Sequence, residues 1–146
     1  MVLGFVKPYI CAMLKDIKLE HNANVGVAIV KELNDDLEVV WNVFVVNLGD
    51  EKIVNVFITC KGYGLINGTE KETTLMRYFL DDIDSQTAIK VEPINPDLFK
   101  LNNEYFVVFY SNGNMIDKKL TFKENTITED RLVQVPVLDC LGILLT

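Results

Sequence analysis

The chain has one histidine, His21, two arginines, Arg77 and Arg131, and three cysteines, Cys11, Cys60 and Cys140, in 146 residues. Each scarcity excludes a class of chemistry. A zinc site draws its donors mainly from Cys and His at close spacing, and a lone histidine in a polar segment supplies almost nothing of that kind. Three widely separated cysteines without a C-x-x-C pair do not make a disulfide framework and fit free thiols in a reducing cytoplasm. No apolar run approaches the roughly 18 residues that mark a membrane-spanning helix, so no membrane association is expected. The only serines, Ser85 and Ser111, stand in turn contexts outside any G-x-S-x-G pattern. No activated nucleophile is therefore expected, and no cofactor motif is present.

Positive charge is also scarce: 14 Lys and Arg against 21 Asp and Glu leave a formal net charge of -7. A chain of that sign is repelled by phosphate backbones, and nucleic-acid binding would need a local basic stripe. The nearest approach is Lys118-Lys119 with Lys123, and in a strand the first two point to opposite faces. No nucleic acid is expected as a partner.

What the chain does have is apolar residues, 49% of the total, enough for one globular domain. Met1 to Ala12 carries an apolar patch with neither helical nor strand period, split by Lys7-Pro8, with no basic segment before it and no small-residue cleavage pattern after it. We read residues 1–12 as an upstream extension outside the fold and residues 13–146 as a single β-sandwich domain.

From Asn24 onward, short runs rich in Val, Ile, Phe, Tyr and Thr alternate with Gly, Asn, Asp or Pro at intervals of roughly 8 to 12 residues, the pattern of a sandwich or barrel. Strands are expected at Val25 to Glu32, Leu37 to Asn47, Ile53 to Lys61, Thr73 to Leu80, Ala88 to Ile94, Glu104 to Ser111, Met115 to Phe122 and Leu132 to Leu138. Asn112-Gly113 accepts the positive φ angles of a tight type I′ turn and predicts a hairpin between the sixth and seventh of these. Asn95-Pro96 opens the one helical signal, a single turn capped by the Asn side chain. The expected fold is all-β: an antiparallel two-sheet sandwich, immunoglobulin-like, of seven or eight strands with one short helical turn.

Alternation indicates burial. Val54, Val56, Ile58 and Cys60 form one apolar face, and Ile89 with Val91 another. Val39 to Val46 and Tyr105 to Tyr110 are apolar on both faces, so each is covered on both sides or presents an aromatic face to a partner. Trp41, Phe44, Tyr105, Phe109 and Tyr110 are the candidate interaction surface, aromatic anchors being typical of binding hot spots, and a symmetric homodimer is the simplest assembly through it.

Acidic residues gather at turns: Asp35-Asp36, Asp50-Glu51, Asp81-Asp82 with Asp84, and Glu129-Asp130. Asp81, Asp82 and Asp84 are weak candidates for calcium ligation, and paired acids at one end of a sandwich would suit a ligand-binding protein or hydrolase acting on carbohydrate. Arg77 is the candidate for receiving an anion or pairing with one of these turns. Lys61 to Gly68 is glycine-rich but lacks Gly-Lys-Ser/Thr and a following helix, so it reads as a connection with an Asn67-Gly68 turn and not as a phosphate cradle.

The stretches Trp41-Asn42-Val43, Gly62-Tyr63-Gly64, Thr74-Leu75-Met76-Arg77, Lys90 to Ile94, Phe99 to Val107 and Asp117-Lys118-Lys119 together resemble a family of small bacterial proteins, some of which carry the label phenylalanyl-tRNA synthetase alpha subunit. The resemblance runs from Lys15 to the C-terminus, implies a start near Met13 and brings no catalytic residues with it. The label implies ATP and tRNA chemistry, which calls for arginines gripping a triphosphate in a catalytic domain about twice this size. Two arginines and a net negative charge supply neither that grip nor a tRNA footprint. The reading that follows is a cytoplasmic, non-enzymatic protein-interaction or accessory module, with an acidic-loop ligand-binding protein as the alternative.

Overall fold

The computed structural model describes residues 24–146, so the expectations for Met1 to Ala12, the start at Met13, Cys11 and His21 lie outside the described residues. Ten strands occur among them: β1 Val25–Leu33, β2 Val39–Asn47, β3 Ile53–Ile66, β4 Thr69–Glu72, β5 Met76–Ile83, β6 Thr87–Pro93, β7 Asn102–Ser111, β8 Asn114–Phe122, β9 Val133–Val135 and β10 Cys140–Leu145. They form an antiparallel two-sheet sandwich. One sheet runs β6-β2-β1-β10-β9; the other runs β4-β3-β7-β8, with β5 also paired to β3. β7 occupies one edge of β3, so β5 and β4 share the other edge, β5 along Ile53 to Cys60 and β4 along Tyr63 to Ile66.

Alternating inward side chains of both sheets make the core. Val27, Ile29, Val43 and Val45 from the first sheet meet Val56, Ile58, Cys60, Tyr105, Val107 and Phe109 from the second. Removing each such side chain from water contributes about 1.5–3 kcal/mol before entropy is counted. The Tyr105 and Phe122 rings stand nearly perpendicular, 5.8 Å apart between centroids, a favoured aromatic arrangement. The outer face of β1 and β2 in the first sheet is buried too: Ala28, Val30 and Val46 pack with Phe44, Leu144 and Val135.

The turn chemistry matches the sequence. Asn112 and Gly113 have φ of 53° and 78° and join β7 to β8, with Ser111 opposite Asn114. Asn67 and Gly68 repeat this geometry at 53° and 79° between β3 and β4. The expected single helical turn is the 3-10 turn Pro96–Lys100, capped by Asn95, whose Oδ1 accepts from Asp97 N at 2.9 Å; a second, uncapped one spans Glu129–Arg131.

The differences from expectation have physical causes. β3 runs through the glycine-rich stretch because Gly62 is buried at a close approach, where a Cβ would meet Thr73 Cγ2 at 3.2 Å and Asn103 Oδ1 at 3.4 Å. Its partner β4, Thr-Glu-Lys-Glu, is polar and exposed on both faces and so shows no apolar period. Val54 leaves the expected face because Asn55 is a bulge residue with φ 52°, its N–H bonded to Asp82 Oδ1 at 3.1 Å; Ile53 takes the core position instead. The expected strand Leu132 to Leu138 is cut short to β9 by a turn, and β10, which the sequence pattern did not predict, follows that turn.

Candidate functional site

Of the two sheets, the second exposes its outer face. Phe57 is 51% exposed, Phe79 49% and Met115 63%, and Phe106 and Tyr110 stand beside them. The backbone explains why they share a face. In β7 the odd positions Tyr105, Val107 and Phe109 point into the core, so Phe106, Val108 and Tyr110 point outward. Register then aligns the neighbours: Phe57 lies opposite Phe79 on one side and Val108 on the other. The rings of Phe57 and Phe79 are 4.8 Å apart between centroids and tilted by 44°. Charged side chains rim this patch. Arg77 lies opposite Thr59, Lys119 opposite Phe106, and Asp117 opposite Val108. Lys119 Nζ is 3.9 Å from Glu104 Oε1, while no ion pair of Arg77 occurs among the described residues. An exposed, contiguous aromatic patch with a charged rim is chemically suited to hold another protein surface.

The candidate surface drawn from the sequence is dispersed by the fold. Tyr105 and Phe109 are core residues, 2% and 1% exposed, because their inward phase in β7 is the opposite of Tyr110's. Trp41 is half-buried at the core edge with its ring at 5.1 Å and 85° to Phe99. Phe44 packs on the covered outer face of the first sheet. Only Tyr110 belongs to the exposed patch, and Phe57, Phe79 and Phe106 were missed. Their signal was present: Phe57 interrupts a polar face of β3, and an aromatic residue there is an anomaly worth reading as exposed.

At the open edge between β5 and β6 lies a cavity of about 240 Å³ lined by Cys60, Met76, Glu92, Ile94, Asn103 and Tyr105, among others. Glu92, one of its lining residues, accepts from the Tyr78 hydroxyl at 2.6 Å on Oε1. The carboxylate acceptor holds the Tyr78 hydroxyl up at about 12. Burial, with the Glu92 charge adding to it, pushes the Cys60 thiol up to about 12, so Cys60 is a protonated core thiol and no nucleophile. A more open groove of about 480 Å³ runs beside the β3–β4 hairpin, where Lys61 and Glu72 face each other at 3.9 Å.

Two of the acidic segments, Asp50-Glu51 and Asp81 to Asp84, meet at one end of the sandwich, joined by neutral side chains, while Asp35-Asp36 and Glu129 lie toward the other end, and Asp81 and Asp82 belong to β5 and not to the turn after it. Asn47 Nδ2 donates to the carbonyls of Glu51, Ile83 and Asp84, and its Oδ1 accepts from Gly49 N–H. Ser85 Oγ and Gln86 Nε2 donate to the carbonyls of Gly49 and Leu48. Asp81, Asp82 and Asp84 are exposed, with Asp82 held by Asn55 N–H and 4.0 Å from Lys52. Among the described residues no group of three His, Cys, Asp or Glu side chains is placed to hold a metal ion. No helix among them is long and apolar enough to cross a membrane.

No family model, no curated protein and no solved structure matches the chain. Geometry and chemistry alone carry the functional reading.

Proposed function

We propose that the chain is a non-enzymatic protein-interaction or accessory module of the cytoplasm, an immunoglobulin-like sandwich that engages a partner through the outer face of the β5-β3-β7-β8 sheet. The observation that carries this reading is the exposed aromatic patch of Phe57, Phe79, Phe106 and Tyr110 on that face, set against a first sheet whose outer face is buried at β1 and β2. The strand order supports the fold assignment: β6-β2-β1 in one sheet and β3-β7-β8 in the other follow the E-B-A and C-F-G order of immunoglobulin sandwiches. The unpaired thiols of Cys60 and Cys140 support a reducing compartment.

Affinity capture from native lysate with the wild-type chain and with a Phe57→Glu/Phe79→Glu variant tests the reading. Both side chains are half exposed, so the variant remains folded by circular dichroism and urea titration. A protein retained by the wild type and lost by the variant supports this face as the site. Identical capture by both chains refutes it.

A further inference from the structure

The partner for which the face is built is a second copy of the same chain. We infer that two copies pack sheet to sheet about a twofold axis lying perpendicular to the strands and passing between residues 117 and 119; this rests on the reading that the exposed face is an interaction surface. The argument comes from register. Strand pairing places Phe79, Phe57, Val108 and Asp117 side by side in one row across β5, β3, β7 and β8. The next row along the same face is Arg77, Thr59, Phe106 and Lys119. A twofold axis between the rows exchanges them, so every group meets its neighbour from the other copy. Lys119 then faces the second copy's Asp117 twice over, one contact at each symmetry-related position. The Arg77 guanidinium lies over the second copy's Phe79 ring, an electrostatically favourable stacking. Phe106 lies on Val108, and Phe57 on Thr59. No like charges oppose each other within these rows. The other in-plane twofold, parallel to the strands, would put Arg77 against Lys119 and Asp117 against Phe79, which disfavours it.

Size agrees with a weak, reversible dimer. Strands about 4.8 Å apart and same-face residues about 6.8 Å apart give a face of about 500 Å² in projection for four strands and four rows. Two such faces together bury about 1,000 Å², the lower bound of specific interfaces, which points to micromolar affinity and not a permanent assembly.

Sedimentation of the full chain from micromolar to millimolar concentration tests this with five proteins: wild type, Phe57→Glu, Asp117→Lys, Lys119→Asp and the double swap Asp117→Lys/Lys119→Asp. We expect a wild-type monomer–dimer equilibrium that Phe57→Glu abolishes. Each single swap brings two pairs of like charges together and weakens dimerisation about tenfold or more, while the double swap restores opposite charges and recovers most of the affinity. Equal urea midpoints for the variants separate these effects from folding. A wild-type monomer at every concentration overturns the dimer while leaving capture of another protein through the same face intact. A dimer indifferent to Phe57→Glu overturns the choice of face. A double swap as weak as the single swaps overturns the register.

Discussion

Asn47→Asp is the sharpest probe of how this sandwich holds its ends together. Asn47 is 1% exposed at the end of β2. Its amide nitrogen reaches three carbonyls, Glu51 at 2.9 Å, Ile83 at 3.2 Å and Asp84 at 3.2 Å, while its oxygen accepts from Gly49 N–H at 2.9 Å. One side chain thus ties the turn after β2 to the turn after β5, across the two sheets. Asn47→Ala removes these bonds and leaves buried carbonyls and an N–H without partners, a loss of about 3–4 kcal/mol at about 1 kcal/mol per net bond plus the penalty for orphaned groups. Asn47→Asp keeps the shape and the bond from Gly49 but points a carboxylate oxygen at three carbonyl oxygens. The charged form is disfavoured, so the folded-state pKa of Asp at this position rises above its unfolded value of about 3.9. The sign follows: the native state holds its proton where the unfolded chain has released it. The variant is therefore nearest to wild type at and below about pH 4, and it loses stability as pH rises through the elevated folded value. At neutral pH the deficit is at least about 3 kcal/mol, a fall in Tm of roughly 10 °C for a chain of this size. Urea titrations of wild type and variant at a series of pH values between the acid range and neutrality supply the measurement. A neutral-pH deficit under about 1 kcal/mol, or one that does not vary with pH, refutes the assignment of the amide as a three-carbonyl donor.

Three further outcomes follow from the packing of single side chains. Cys60, whose thiol rises from 9.0 to about 12, stays protonated in the fold while the unfolded chain ionises; stability is full below about pH 9 and falls as pH rises from there toward 12. Alkaline urea titrations should show this loss in wild type and a shallower one in Cys60→Ala, and thiol reagents at neutral pH should label Cys60 only after unfolding. Gly142→Ala should cost about 2–3 kcal/mol by urea titration, because a Cβ there would sit 2.8 Å from Val30 Cγ1 and 2.9 Å from Val30 Cα, and the paired strand β1 cannot retreat. Lys118→Met should cost about 1.5–3 kcal/mol by urea titration, since the half-buried ammonium, lowered in pKa by that burial, donates a charge-assisted 2.8 Å bond to Val25 O among its contacts.

Much of the fold is legible along the chain because the signals are local. The Asn112-Gly113 hairpin, the Asn95 cap and the alternation of Ile116, Leu120 and Phe122 depend on neighbours within a few residues. Where the reading missed, a distant contact decided the outcome. β4 has no apolar period and exists because the Asn67-Gly68 turn lays it along β3. The bulge at Asn55 shifts the phase of β3 by one residue, which exchanges Val54 for Ile53 in the core and cannot be seen in an alternating run. The interaction residues suffered most. Tyr105 to Tyr110 is apolar at every position, so composition could not say which set of alternate residues faces solvent.

The sequence by itself determined an acidic, strand-rich chain with turns at asparagine-glycine pairs and with acids at the reversals of Asp35-Asp36 and Asp50-Glu51. These are consequences of side-chain chemistry and of period two, which need no knowledge of what lies across the sheet. Only the tertiary structure decided that the outer face of β1 and β2 is buried while that of β3, β5, β7 and β8 is open, and that Phe57 and Phe79 meet there. Burial is a property of what covers a strand, and for strands apolar on both sides the covering layer alone separates a core face from a binding face.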